Sequence, residues 1–176
     1  MNVLIIYGTT EGQTRKIAEW TATHIREGGH RVELRDSAAF ASGSDLGNFN
    51  AFIIAASVHQ QHHQETITNF VITHHELLNA SPSAFISVSL SAVLEEPKTE
   101  AQKYVDHFVS MTKWQPRMTL LLGGALHFAE YDYFQEQILN FIVMKGSGFA
   151  ITERDREFTD WKALAGFVNR FLETAV

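Results

Sequence analysis

Cysteine is absent from the 176 residues. No disulfide framework, thiolate nucleophile or cysteine-based metal site is therefore available, and the composition fits a reducing compartment. Long hydrophobic runs are missing as well. No uncharged apolar stretch approaches the roughly 20 residues that cross a bilayer. The first apolar run, Val3-Leu4-Ile5-Ile6-Tyr7, has no basic segment ahead of it and is too short for a signal-peptide core. A cytoplasmic location follows as the expectation. Positive charge is in deficit: 20 acids face 14 bases, for a net charge of −6. A nucleic-acid partner would need a basic face to neutralise phosphates, so none is expected.

What is present is a globular composition, 45% apolar and 19% charged, which argues against intrinsic disorder. The length suits one domain, expected to span residues 1–176. Short, wholly apolar runs alternate with long amphipathic ones. Residues 3–7, 52–56, 84–90 and 118–122 read as buried strands, and Arg31-Val32-Glu33-Leu34-Arg35 alternates as a half-buried strand would. Helical stripes are predicted over 13–27, 65–79, 97–114, 131–145 and 160–174. Gly28-Gly29 stops the first helix, Ser81-Pro82 breaks the second, and Pro97 suits a first turn. Residues 149–158 are harder to read and leave room for a short strand. Unbroken apolar strands alternating with helices imply an α/β fold, a parallel sheet covered on both faces. Such doubly wound sheets bind ligands beyond the carboxyl ends of their strands. The informative residues are therefore those that follow each run: 8–14, 57–64, 89–96 and 123–130.

Gly8-Thr9-Thr10-Glu11-Gly12-Gln13-Thr14 is the first of these loops. Its hydroxyls can donate to phosphate oxygens, Gly12 permits unusual dihedrals and close backbone approach, and the helix that follows presents free N–H groups. It contains no Lys, so it is not a Walker A loop, and it lacks the three spaced glycines of a dinucleotide fingerprint. Holding phosphate by hydroxyls and amides alone suits a terminal monophosphate. The plain alternative is a strand-to-helix turn with Thr caps.

Thr9-x-x-Gly12-x-Thr14 after an N-terminal apolar strand resembles the FMN phosphate loop of flavodoxins, with Glu11 where those proteins typically carry Thr. Further segments extend the match in order: Gly12-Gln13-Thr14-Arg15-Lys16-Ile17-Ala18, Ala56-Ser57, Pro82 to Leu90, Trp114-Gln115-Pro116, Gly124-Ala125-Leu126 and Phe158-Thr159-Asp160-Trp161. Together they resemble the flavodoxin-like, menaquinone-dependent protoporphyrinogen IX dehydrogenases of haem synthesis, over nearly the whole chain. The resemblance implies a flavodoxin-like doubly wound sheet of five parallel strands in the order 2-1-3-4-5, with an inserted helix near strand 5. It implies FMN as cofactor, in preference to FAD because no second Gly-rich loop serves an adenine nucleotide. It implies a flavin site drawn from Thr9, Thr10, Glu11, Gly12, Gln13, Thr14, Ser57, Val58, His59, Ser89, Leu90, Ser91, Gly124, Ala125 and His127. The function implied is an FMN-dependent oxidoreductase that takes electrons from a porphyrinogen or another flat reduced substrate and passes them to a menaquinone-like acceptor or a redox partner protein. A generic flavodoxin-like electron carrier or quinone reductase, and a non-catalytic binding module on the same fold, are the competing readings.

Histidines cluster after the third strand, at His59, His62 and His63, and again at His74 and His75. Imidazoles ligate zinc well, but the first group has no carboxylate neighbour beyond Glu65, and no metal is assigned. His59 and His62 are candidates for a flavin-edge role, hydrogen-bonding the ring or passing protons; the ordinary alternative is exposed loop histidines. In the segment 127–148, Tyr131, Tyr133, Phe134, Phe141 and Met144 lie on a helix that the sheet does not need. Its surplus apolar surface is expected to meet a substrate, a second subunit or the inner face of the membrane. Glu130, Asp132 and Glu136 against Lys145 rank substrate cover or homodimer formation above peripheral membrane contact, since anionic lipid attracts basic helices.

Overall fold

The computed structural model describes residues 1–40, 45–94, 99–127 and 155–175. The predicted helix over 131–145 and the aromatic segment it carries lie outside the described residues. β1 (Asn2–Gly8) is followed by α1 (Gln13–Glu27), β2 (Arg31–Asp36) and a 3-10 turn (Ser37–Ala39). Then come β3 (Ala51–His59), β4 (His62–His63), α2 (Glu65–Ala80), β5 (Ser83–Val88), the short α3 (Ser91–Leu94) and α4 (Thr99–Thr112). β6 (Met118–Leu122), β7 (Ala125–His127), β8 (Asp155–Glu157) and α5 (Trp161–Thr174) complete the order.

Five of the strands pair in parallel in the order β2-β1-β3-β5-β6, which is the predicted 2-1-3-4-5. Parallel neighbours need a crossover between them, and helices provide it on both faces. The alternation of side chains along each strand separates two cores. Val3, Ile5 and Tyr7 of β1, with Ile53 and Ala55 of β3, face α1 and α5, where Ile17, Ile25, Phe167 and Phe171 close the layer. Leu4 and Ile6, with Phe52, Ile54 and Ala56, face α2 and α4, where Ile67, Val71, Val105 and Phe108 close the other. Both sides of the central strands are thus buried, which is why they read as unbroken apolar runs. β2 lies at the sheet edge and keeps Arg31 and Glu33 exposed, hence its alternation.

Two differences from the sequence reading bear on function. β3 does not stop at Ala56: it continues to His59, and β4 folds back on it as an antiparallel two-residue strand. Beyond β6, Ala125–His127 pairs antiparallel with Asp155–Glu157 as a separate two-stranded sheet, so the uncertain stretch before α5 does contain a strand. Among the described residues no helix is long and apolar enough to cross a membrane.

Candidate functional site

β1 ends at Gly8, against the first turn of α2. A Cβ on Gly8 would stand 2.6 Å from Ile67 Cγ1 and 3.1 Å from Gln64 Oε1, so crowding excludes a side chain there. The loop then folds through a hydrogen bond in which the Gly12 N–H donates to Thr9 Oγ1 at 2.9 Å. Gly12 has φ 90° and ψ −17°, a left-handed conformation that a glycine adopts without steric cost. A Cβ on it would meet nothing within 4 Å among the described residues, so the demand comes from the backbone. The Lys16 N–H donates to Gly12 O at 3.1 Å and starts α1. Its N-cap glycine makes no side-chain capping bond, and no acid lies in its first turn. Its leading N–H groups and dipole are available to an anion. Thr14, on that first turn, is 1% exposed, and its hydroxyl has no partner among the described residues.

The second wall is the hairpin beyond β3. His59 pairs with His62 and Val58 with His63, across a two-residue turn at Gln60 and Gln61. Their φ values of 48° and 68° are both positive, as in a type I′ turn, where glycine or asparagine is the usual choice. Glutamine there costs about 1–2 kcal/mol per residue. His63 offsets that cost from below. It is 7% exposed, packs against both Phe85 and Phe108 at ring distances of 5.1 and 4.8 Å, and shares a 2.9 Å hydrogen bond between its Nε2 and Ser87 Oγ. Burial, and then the neighbouring His107 and His62, push its pKa down to about 3, so the imidazole is neutral near pH 7. His62 is exposed, with its ring 5.7 Å from that of His107.

Gln64 joins the two walls. Its Nε2 donates to Thr10 Oγ1 at 3.2 Å and also to Ser57 Oγ, linking the loop after β1 to the end of β3. The remaining strand ends are closed by the protein itself. Ser89 Oγ accepts from the Ala92 N–H at 3.2 Å and so caps α3, and Ser91 Oγ lies 3.5 Å from the Tyr104 hydroxyl. Thr159 Oγ1 donates to Gly123 O at 3.0 Å, and the Phe158 N–H donates to Gly124 O at 2.9 Å. A seam of side chains ties this closed end to α1. Gln13 Nε2 donates to Thr159 Oγ1 at 2.8 Å, Lys16 pairs with Glu157, and Trp161 Nε1 donates to Glu157 Oε1 at 2.7 Å. The hydrogen bond from Lys16 holds the Glu157 carboxyl below its usual range. Beside the loop, burial and then the Asp36 carboxylate raise the pKa of the Tyr7 phenol.

Of the residues singled out from the sequence, Thr10 and Ser57 are brought together by Gln64, and Thr9, Gly12 and Thr14 form the open start of α1. Gln13 belongs to the same turn, but its side chain is held by Thr159. Glu11, Val58, His59, Leu90 and Ala125 are half-buried at the same edge of the sheet. The side chain of His127 lies outside the described residues. Gln64, His63, Thr159 and Glu157 were not assigned to the site from the sequence, although His63 belongs to the histidine cluster and Thr159 to a segment of the resemblance. The donor set of hydroxyls and first-turn amides, with a buried hydroxyl lacking a partner, fits a phosphate monoester. Among the described residues no group of three or more His, Asp or Glu is arranged to hold a metal ion.

The flavodoxin domain family model matches residues 4–150. The protoporphyrinogen IX dehydrogenase [quinone] of Escherichia coli K12 is 29% identical over 168 residues, 95% of this chain and 92% of that protein. The enzyme of the same name from Leishmania major is 27% identical over 173 residues, 96% of this chain and 73% of that protein. Among solved structures, a Fusobacterium nucleatum flavodoxin bound to flavin mononucleotide superposes with a TM-score of 0.56 at 11% identity, covering 99% of each chain, and shows the shared fold.

Proposed function

The chain belongs to the flavodoxin domain family, and from that premise we propose that it is an FMN-dependent oxidoreductase acting on protoporphyrinogen IX with a quinone as acceptor. The observation that carries the cofactor is the start of α1: a left-handed N-cap glycine, no first-turn acid, and a buried Thr14 hydroxyl with no partner among the described residues. The two relatives named for this reaction support the choice of substrate and acceptor, since they match over almost all of this chain. When bound, FMN supplies the two-electron redox chemistry.

The protein's own residues bind, orient and shield. The first-turn N–H groups of α1 and the Thr14 hydroxyl hold the phosphate as an anion, and Thr10 and Ser57 flank it. A terminal phosphate fills this loop, which favours FMN over FAD. Val58 and His59, on the hairpin braced by His63, are assigned to the ring, with His59 and His62 as the groups able to hold or move a proton at its edge. A second reading is an electron carrier for a basic protein partner, which the net charge of −6 would steer.

Anaerobic turnover separates the two. The flavin-loaded protein should convert protoporphyrinogen IX to fluorescent porphyrin only when a menaquinone analogue is present. Absence of porphyrin, with the flavin still reducible by a redox protein, would select the carrier.

A further inference from the structure

We infer that Gln64 is a positioning residue that sets the polarity of the phosphate site, holding the Thr10 and Ser57 hydroxyls as donors toward an anion. The inference rests on the phosphate reading given above and adds to it a residue outside the loop motif. Gln64 stands at the N-cap position of α2, yet its side chain makes no capping bond there. It reaches back instead, and Nε2 donates to two hydroxyl oxygens, at Thr10 and at Ser57.

The consequence follows from counting donors. A primary amide has two N–H donors on one atom and an acceptor on the other, while a hydroxyl has one proton and two lone pairs. Each hydroxyl that receives an N–H from Gln64 uses a lone pair and keeps its proton for another acceptor. With the amide turned over, the carbonyl would draw both protons inward and leave lone pairs facing the site, which repel phosphate oxygens. The packing favours the first orientation. The other end of the amide is buried against Gly8 and has no hydrogen-bond partner among the described residues. A buried carbonyl without a donor is tolerated more often than a buried N–H without an acceptor. Gly8 also leaves the room: its Cβ would stand 3.1 Å from Gln64 Oε1. One side chain thus ties the loop after β1 to the end of β3 and fixes which way two hydroxyls point before a ligand arrives.

The test compares binding of FMN and riboflavin, which differ only in the phosphate, to the full-length apo-protein by flavin fluorescence. Gln64→Glu keeps the shape and replaces the donors with an anionic acceptor. It should weaken FMN by about 10- to 100-fold near pH 8, while riboflavin changes by less than about 2-fold. Lowering the pH toward about 5.5 protonates a carboxyl beside a phosphate and restores a donor, so the FMN deficit relative to wild type should narrow. Gln64→Met removes donors and acceptor together and should weaken FMN without that pH-dependent recovery. Retained riboflavin binding reports that each variant is folded. Equal losses for FMN and riboflavin, or an unchanged FMN affinity in Gln64→Glu, would overturn the inference. Equal affinity of the wild-type protein for the two flavins would overturn the phosphate reading itself, and the inference with it.

Discussion

The first and last long helices begin in opposite ways. α5 starts as an isolated helix should: the Asp160 carboxylate accepts from the Ala163 N–H at 2.9 Å, and the strand end beside it is closed by Thr159 and Phe158. α1 starts with a left-handed glycine, no cap and no first-turn acid. A cap is worth about 1 kcal/mol, so its omission from α1 is a cost to the apo-protein. That cost falls where the site's donors converge. A stabilising device is missing where an outside anion can take its place and present where the protein must stabilise itself.

The closed end should be the less tolerant. A Cβ on Gly123 would stand 2.4 Å from Val93 Cγ2 and 2.6 Å from the backbone oxygen of Phe158. Gly123→Ala should therefore cost about 3 kcal/mol in urea unfolding. Gly12→Ala meets no atoms and should cost only the dihedral strain, about 1–2 kcal/mol. Equal costs would remove the contrast between a packed end and an open one.

Thr14→Val separates binding from folding. The hydroxyl is buried with no partner among the described residues, so its loss should not lower the unfolding free energy of the apo-protein. FMN affinity should fall by about 1.5–3 kcal/mol, the value of a hydrogen bond to a charged acceptor. A variant that loses stability but keeps its FMN affinity would mean that Thr14 serves the fold.

The hairpin beside the open end predicts a pH dependence. His63 has a folded pKa of about 3 against 6.5 for the free side chain. Its lowered pKa means that the unfolded chain binds the proton first. Stability should be unaffected above about pH 6.5 and should fall as the pH drops toward 3, with about 2 kcal/mol lost by pH 5. His63→Gln should flatten that slope in urea titrations over the same range; a slope unchanged in the variant would assign it to other groups. The smallest effect is expected at the capped start. Asp160→Ala should cost about 1 kcal/mol of stability and leave FMN affinity within about 2-fold.

The same contrast shows what was legible in the sequence. The alternation of strands and helices and the boundaries of α1 and α5 follow from local signals, apolar runs and a 3.6-residue stripe, while the sheet order came from the family resemblance. The loop after β1 was legible for the same reason, since its glycine and hydroxyls are contiguous. The hairpin after β3 was not. Gln60 and Gln61 are unlikely turn residues by propensity, and they are held left-handed by contacts that His63 makes with Ser87, Phe85 and Phe108, all distant in sequence. His63 itself reads as one of a polar loop group, and only packing makes it a core residue. Gln64 carries no periodic or motif signal, because its role depends on a partner 54 residues away.

The central claim is that the uncapped start of α1 holds a phosphate. Calorimetric titration of the apo-protein with FMN and with riboflavin measures it most directly, because only the phosphate differs. The account predicts that FMN binds at least about 100-fold more tightly, the equivalent of about two hydrogen bonds to a charged acceptor. Equal affinities for the two flavins would contradict it.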